Sequence, residues 1–143
     1  MARSADIDFN FGAPVSVSEV LHSFLRHGFL LTHRGLVSYV LDDDGMYDWK
    51  KADGSRLEEV IAIGGNSDPE RTSFGISLFL GEHGTGGDLL FHRGRKRRSF
   101  MIEVNRRTVS RSSRFCDFGW YLERMVPVME PLGMTELVAR DSA

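Results

Sequence analysis

Polar and apolar residues alternate at the start of the chain. Ile7, Phe9 and Phe11 are spaced by Asp8 and Asn10 and preceded by Asp6. A period of two predicts a half-buried strand, which Pro14 ends. The period then changes. Val20, Leu21, Phe24 and Leu25 recur at helical spacing behind Ser16-Val17-Ser18-Glu19, which has the form of a capping box, and Gly28 supplies a stop. A helix over residues 17–27 is predicted. Residues 29–32 and 36–41 read as two strands joined across Arg34-Gly35, and Asp42-Asp43-Asp44-Gly45 as a turn in which aspartates bond their own backbone. Residues 46–49 resume extended structure or cap an edge. Leu57, Val60 and Ile61 mark one side of a short helix that ends before the loop 64–69.

The second half reads as strand, Gly-rich connection, strand, basic turn, strand and helix. Residues 75–80, 86–92 and 99–106 form the strands, most simply an antiparallel meander. Asp117 can cap a helix over 118–129 that carries Tyr121, Met125 and Val128 as a stripe, with Pro127 a point of kinking or breaking. Residues 135–139 form a possible last edge strand. The order predicts one α+β domain over residues 1–143: a mostly antiparallel sheet with two to three helices packed on one face. Its expected core holds Phe24, Leu25, Leu78, Leu80, Leu90, Phe100, Ile102, Val104, Tyr121 and Met125.

Composition adds little to that picture. The 143 residues are 41% hydrophobic and 27% charged, ordinary for a globular domain. No apolar run approaches membrane-spanning length and the first residues lack the order of a secretory signal, so the expected location is the cytoplasm, without a membrane partner. The net charge of −2 is unevenly distributed. Acids outnumber Lys and Arg by 12 to 6 through Glu70, and Lys and Arg outnumber acids by 12 to 8 afterwards. That asymmetry suggests two faces of opposite potential.

Chemistry is harder to find. No Gly-x-Ser-x-Gly elbow is present, and residues 81–87 lack the Gly-Lys-Ser/Thr ending of a phosphate loop. The five histidines show no metal spacing. The acidic turn places its glycine fourth, without the distant Glu that a helical calcium loop requires. Cys116, the single cysteine, reads as a packing residue. An enzyme would need a pocket that gathers groups such as His83, His92, Cys116 and Asp117. The expectation is therefore a binding protein with no catalytic residues, no cofactor and no metal. Two surfaces compete for the partner. One is acidic: Asp42, Asp43, Asp44 and Asp48 with Trp49 as anchor, extended by Glu58 and Glu59 if the short helix packs nearby. The other is the basic run Arg93, Arg95, Lys96, Arg97 and Arg98, which would bind nucleic-acid phosphates and could be extended by Arg106, Arg107, Arg111 and Arg114.

Three segments also carry a family resemblance: Gly35-Leu36-Val37-Ser38-Tyr39-Val40-Leu41-Asp42-Asp43-Asp44-Gly45 followed by Asp48-Trp49; Gly75-Ile76-Ser77-Leu78 followed by Gly86-Gly87-Asp88-Leu89-Leu90-Phe91; and Asn105-Arg106 followed by Asp117-Phe118-Gly119-Trp120-Tyr121-Leu122 and Pro127. Over about residues 28–133 the chain resembles the small single-domain immunity proteins encoded beside bacterial polymorphic or contact-dependent toxins. The resemblance implies a cytoplasmic inhibitor that binds a cognate toxin domain. It transfers no contact residue, because its motifs are structural.

Overall fold

A computed structural model describes residues 3–81 and 84–143. The first strand, β1 (Ser4–Phe11), leads into helix α1 (Val17–Arg26), then β2 (Leu36–Asp42) and β3 (Lys50–Asp53). A short 3-10 turn precedes α2 (Leu57–Asn66). The chain continues through β4 (Ser73–Phe79), β5 (Gly86–Phe91), β6 (Arg97–Val104), α3 (Phe118–Met129) and β7 (Met134–Ser142). The strands form one seven-stranded sheet in the order β3-β2-β4-β5-β6-β1-β7, with every neighbouring pair antiparallel. The expected α+β class is therefore the observed one. No described helix is long and apolar enough to cross a membrane.

Local sequence explains the helix limits. Ser16 caps α1 by accepting from the Glu19 N–H at 3.5 Å, and Gly28 follows the helix with φ +85°, a conformation open to a residue without Cβ. Asp117 accepts from the Trp120 N–H at the start of α3. Pro127 does not break α3: it lies two residues before the end, on an exposed side.

Alternation assigns the sheet's faces. Ile7, Phe9, Val37, Phe74, Ile76, Leu78, Leu89, Phe91, Phe100 and Ile102 meet Val20, Leu21, Phe24, Val60, Ile61, Tyr121, Met125 and Val128 from the helices in one core. Burying each large side chain contributes about 1.5–3 kcal/mol. The other face carries no described helix. Cross-strand register places Ser38, Val40, Ser77, Asp88, Leu90, Ser99, Asp8 and Arg140 on it.

Five expectations change. Helix α2 runs on through Gly64 and Gly65 to Asn66, so the loop expected over 64–69 begins only at Ser67. Residues 29–32 are not a strand of the sheet; a single bridge joins Leu30 to Phe79, after which Arg34 (φ +53°) and Gly35 (φ +77°) reverse the chain. The edge strand beside β2 is instead Lys50–Asp53. Leu90 is buried, but on the helix-free face. Val104 is 36% exposed, because a bulge shifts the pairing from Gly87–Ile102 to Gly86–Val104 and leaves Glu103 as the extra residue.

That bulge requires Gly87. A Cβ there would fall on the Met101 carbonyl oxygen and lie 3.2 Å from the Glu103 nitrogen, both backbone atoms in the middle of the sheet. Gly87→Ala is expected to lower unfolding free energy by about 2–3 kcal/mol in a denaturant titration. An unchanged midpoint would show that the bulge relaxes freely.

Candidate functional site

The turn between β2 and β3 is built by its first aspartate. Asp42 ends β2 and is buried. One of its carboxylate oxygens accepts from the Gly45 N–H at 3.0 Å and the other from the Tyr47 N–H at 2.9 Å. Asp44 accepts from the Met46 N–H at 2.9 Å. These bonds hold Tyr47 at φ +49°, a left-handed conformation that costs a bulky residue about 1–2 kcal/mol. The bond from Tyr47, seconded by that from Gly45, keeps the Asp42 carboxyl below the ordinary aspartate range. Bonds to an ionised acceptor are the stronger kind, so this turn is fixed before anything binds it.

Asp43, Asp44 and Asp48 are exposed around it, with Met46 77% and Tyr47 37% exposed. Trp49 is half-buried on the helix-free face: a Cβ on Gly75 would lie 2.9 Å from its ring and 3.0 Å from Val40. Gly75 thus leaves the space that the indole fills, and Trp49 fastens the hairpin to the sheet rather than standing free as an anchor. Glu58 and Glu59 do not extend this patch. They open α2 beyond the Leu36–Asp53 end of the β2–β3 pair, whereas Asp42 lies at the other end of β2, and they pair with His22 (3.0 Å) and Arg56 (2.9 Å).

The basic run is not a uniform cationic stripe. Arg93, Lys96 and Arg97 are exposed, but Arg95 and Arg98 are buried. Arg95 bonds the Thr72 and His92 carbonyls and the hydroxyls of Ser67 and Thr72, so it ties the loop after α2 to the β5–β6 turn. Burial lowers its pKa. Arg98 shares a face with Phe100 and Ile102 and lies in the core, 0% exposed, its guanidinium carbon 3.8 Å from the Phe11 ring centroid and 5.4 Å from that of Phe91. None of its three side-chain nitrogens has a hydrogen-bond partner among the described residues, and burial pushes its pKa down to about 10. Arg106, Arg107, Arg111 and Arg114 follow the opposite end of β6, so they do not join the turn at its start.

Acidic and basic turns are neighbours, not opposite faces. Asp42 pairs with Ser73 and Phe74 with Phe91, which brings both turns to one end of the sheet, and Arg93 donates to the Asp43 carbonyl at 3.2 Å. The charge asymmetry along the chain therefore folds into a mixed surface.

The helix-free face holds polar groups that single-sequence reading missed. His92 Nε2 lies 2.7 Å from Ser99 Oγ, the Ser99 hydroxyl donates to Asp8 at 2.5 Å, and Arg140 donates to Asp8 at 2.8 Å and to Asp6 at 3.2 Å. With its proton given to Asp8, Ser99 accepts from His92, so the ring carries hydrogen on Nε2; burial and then the Arg97 charge lower the His92 pKa. Burial pushes Asp8 up, but the bonds from Ser99 and Arg140 outweigh it and hold the carboxyl below its ordinary value. Further along, the Ser77 hydroxyl donates to Asp88 at 3.0 Å, while burial and the adjacent Asp88 raise Glu103. A cavity of about 260 Å³ lies beside them, lined by His33, Arg34, Ser38, Lys51, Ser77 and Phe79 among others.

Of His83, His92, Cys116 and Asp117, the three that are described have separate surroundings. His92 is on the helix-free face. Cys116 is buried in the helix-side core with its thiol pushed by burial to about 11, and Asp117 caps α3. His83 lies outside the described residues. Among the described residues no group of His, Cys, Asp and Glu could hold a metal. No protein-family model, curated protein or solved structure matches the chain.

A depressed carboxyl stabilises the fold fully above its unfolded value near 4 and loses that contribution as pH falls through the lower folded value. The Tyr47 amide resonance should therefore hold its position through pH ~5 and shift only below the ordinary aspartate range. Asp42→Asn should abolish that titration, and a shift centred at or above pH ~4 contradicts the bonding. Arg98→Met removes a buried cation without acceptors and should raise stability by about 1–3 kcal/mol in chemical denaturation. A loss would mean that stacking on Phe11 outweighs desolvation.

Proposed function

We propose that this chain is a non-enzymatic binding protein of the immunity kind, acting in the cytoplasm, that occupies the basic surface of a cognate toxin domain through its β2–β3 turn. One observation carries the reading: Asp42 spends its carboxylate on the turn's own backbone, and so presents Asp43, Asp44, Asp48, Met46 and Tyr47 outward in a fixed arrangement. A rigid turn loses little entropy on binding, its acids steer a basic partner, and its exposed Tyr and Met offer apolar contact at the centre. The three sequence segments that resemble immunity proteins include this turn. The burial of Arg95 and Arg98 removes two of the five cations on which nucleic-acid binding would have drawn.

The test is co-expression with the toxin domain that this reading expects beside the gene, scored as survival and as complex formation. The full chain should protect. Changing Asp43, Asp44 and Asp48 to Asn should slow association and flatten its salt dependence, while Tyr47→Ala should speed dissociation at a cost of about 2 kcal/mol. Changing Lys96 and Arg97 to Gln, which leaves the Arg93 bond to the Asp43 carbonyl in place, should leave protection intact. Absence of any complex, together with binding to RNA or DNA that weakens steeply with salt, would overturn the reading in favour of the basic turn.

A further inference from the structure

The two edges of the sheet are unlike. At one edge β3 is four residues long and carries Lys50 and Lys51, the features that discourage pairing with another chain. At the other, β7 is nine residues long, Met134-Thr135-Glu136-Leu137-Val138-Ala139-Arg140-Asp141-Ser142, without proline or lysine. It pairs with β1 on one side, and no described strand lies on its other side. A strand of that length leaves a row of backbone donors and acceptors outward.

The order of residues in β7 is self-complementary. Placed antiparallel to a second copy with Val138 opposite Val138, Glu136 faces Arg140 and Arg140 faces Glu136. Leu137 then faces Ala139, Thr135 faces Asp141, and Met134 faces Ser142, so all nine residues are used and no like charges meet. Register with β1 puts Glu136, Val138 and Arg140 on the helix-free face, opposite Asn10, Asp8 and Asp6. Directly opposed residues share a face, so this alignment also keeps the helices of both copies on one side of a continuous sheet. Sliding by one residue pairs even with odd positions, which turns the helix layers to opposite sides, and in one direction sets Glu136 against Asp141. Sliding so that Leu137 or Ala139 sits at the centre keeps the layers together but loses both charge pairs. Both side chains have capacity to spare. Arg140 bonds Asp6 and Asp8 through Nη1 and keeps its remaining N–H groups, and Glu136 gives one oxygen to Asn10 Nδ2.

We propose that the chain forms a two-fold symmetric homodimer by antiparallel pairing of β7 with β7, centred on Val138, with two Glu136–Arg140 ion pairs across the interface. The β2–β3 turns lie near the opposite edge of each sheet, so the dimer carries its two acidic turns at its outer ends, free for a partner. The dimer does not depend on what those turns bind.

Sedimentation of the full chain over a range of concentrations tests this. The wild type should sediment as a dimer that dissociates on dilution, and backbone amides of β7 should exchange more slowly as the dimer fills. Glu136→Arg places the new guanidinium opposite Arg140 of the other copy and should weaken the dimer roughly tenfold or more, since each opposed pair changes from attraction to repulsion. Arg140→Glu should weaken it likewise. An equimolar mixture of the two variants restores both pairs and should form a heterodimer at wild-type concentrations. Arg140→Glu also loses its Asp8 contact; if that variant is unfolded by circular dichroism, Glu136→Arg and the amide exchange decide alone. A wild type that stays monomeric to millimolar concentration, or a dimer that Glu136→Arg leaves untouched, overturns the proposal.

Discussion

Helices of 10, 10 and 12 residues cover one face of a seven-stranded sheet, and the polar row and the fixed acidic turn of this molecule depend on the face they leave uncovered. A covered face is satisfied by apolar burial alone. An uncovered one must meet water in some places and exclude it in others without a second layer. The chain does both with side chains. His92, Ser99, Asp8 and Arg140 form a hydrogen-bonded row that runs from the end of β5 across β6 and β1 to β7, in which each polar group has a partner. Beside them Val40 and Leu90 stay buried, with the Trp49 indole folded down over the gap left by Gly75. Trp49 thereby links the sheet to the turn that precedes it.

That linkage turns a loop into a surface. A four-acid stretch in solution would sample many conformations, and its charges would repel one another. Here the first carboxylate is buried and bonded to two backbone amides, Arg93 reaches the Asp43 carbonyl, and Trp49 holds the far side. The remaining acids stand at fixed positions around Met46 and Tyr47. Preorganisation of this kind lets a surface bind quickly by charge and leave slowly by packing.

Elements whose signals are local were legible in the sequence. The cap of α1, the stripe of α3, the alternation in β1 and the strand composition of β4 to β6 depend on neighbours a few residues away. What was not legible depends on tertiary placement. Glu58 and Glu59 follow the acidic turn closely in sequence yet lie beyond the other end of β2, because β3 carries the chain back along the sheet. Arg98 looked like part of a solvated turn; the signal that it was not was its parity with Phe100 and Ile102, which the surrounding cations masked. Asp42 looked like one of four equivalent acids, and only the bonds that it makes distinguish it. Residues 29–32 had strand composition, but the reversal at Arg34-Gly35 left them one bridge to the sheet rather than a ladder.

If a partner meets the β2–β3 turn, its footprint must fall there. Amide hydrogen exchange of the chain alone, and in complex with a toxin domain of the kind proposed, maps that footprint residue by residue. New protection should concentrate at residues 43–48, with little change on β5 or β6. Protection confined to the helix-free face around His33, Ser38 and Ser77, with residues 43–48 unchanged, would contradict a role for the turn.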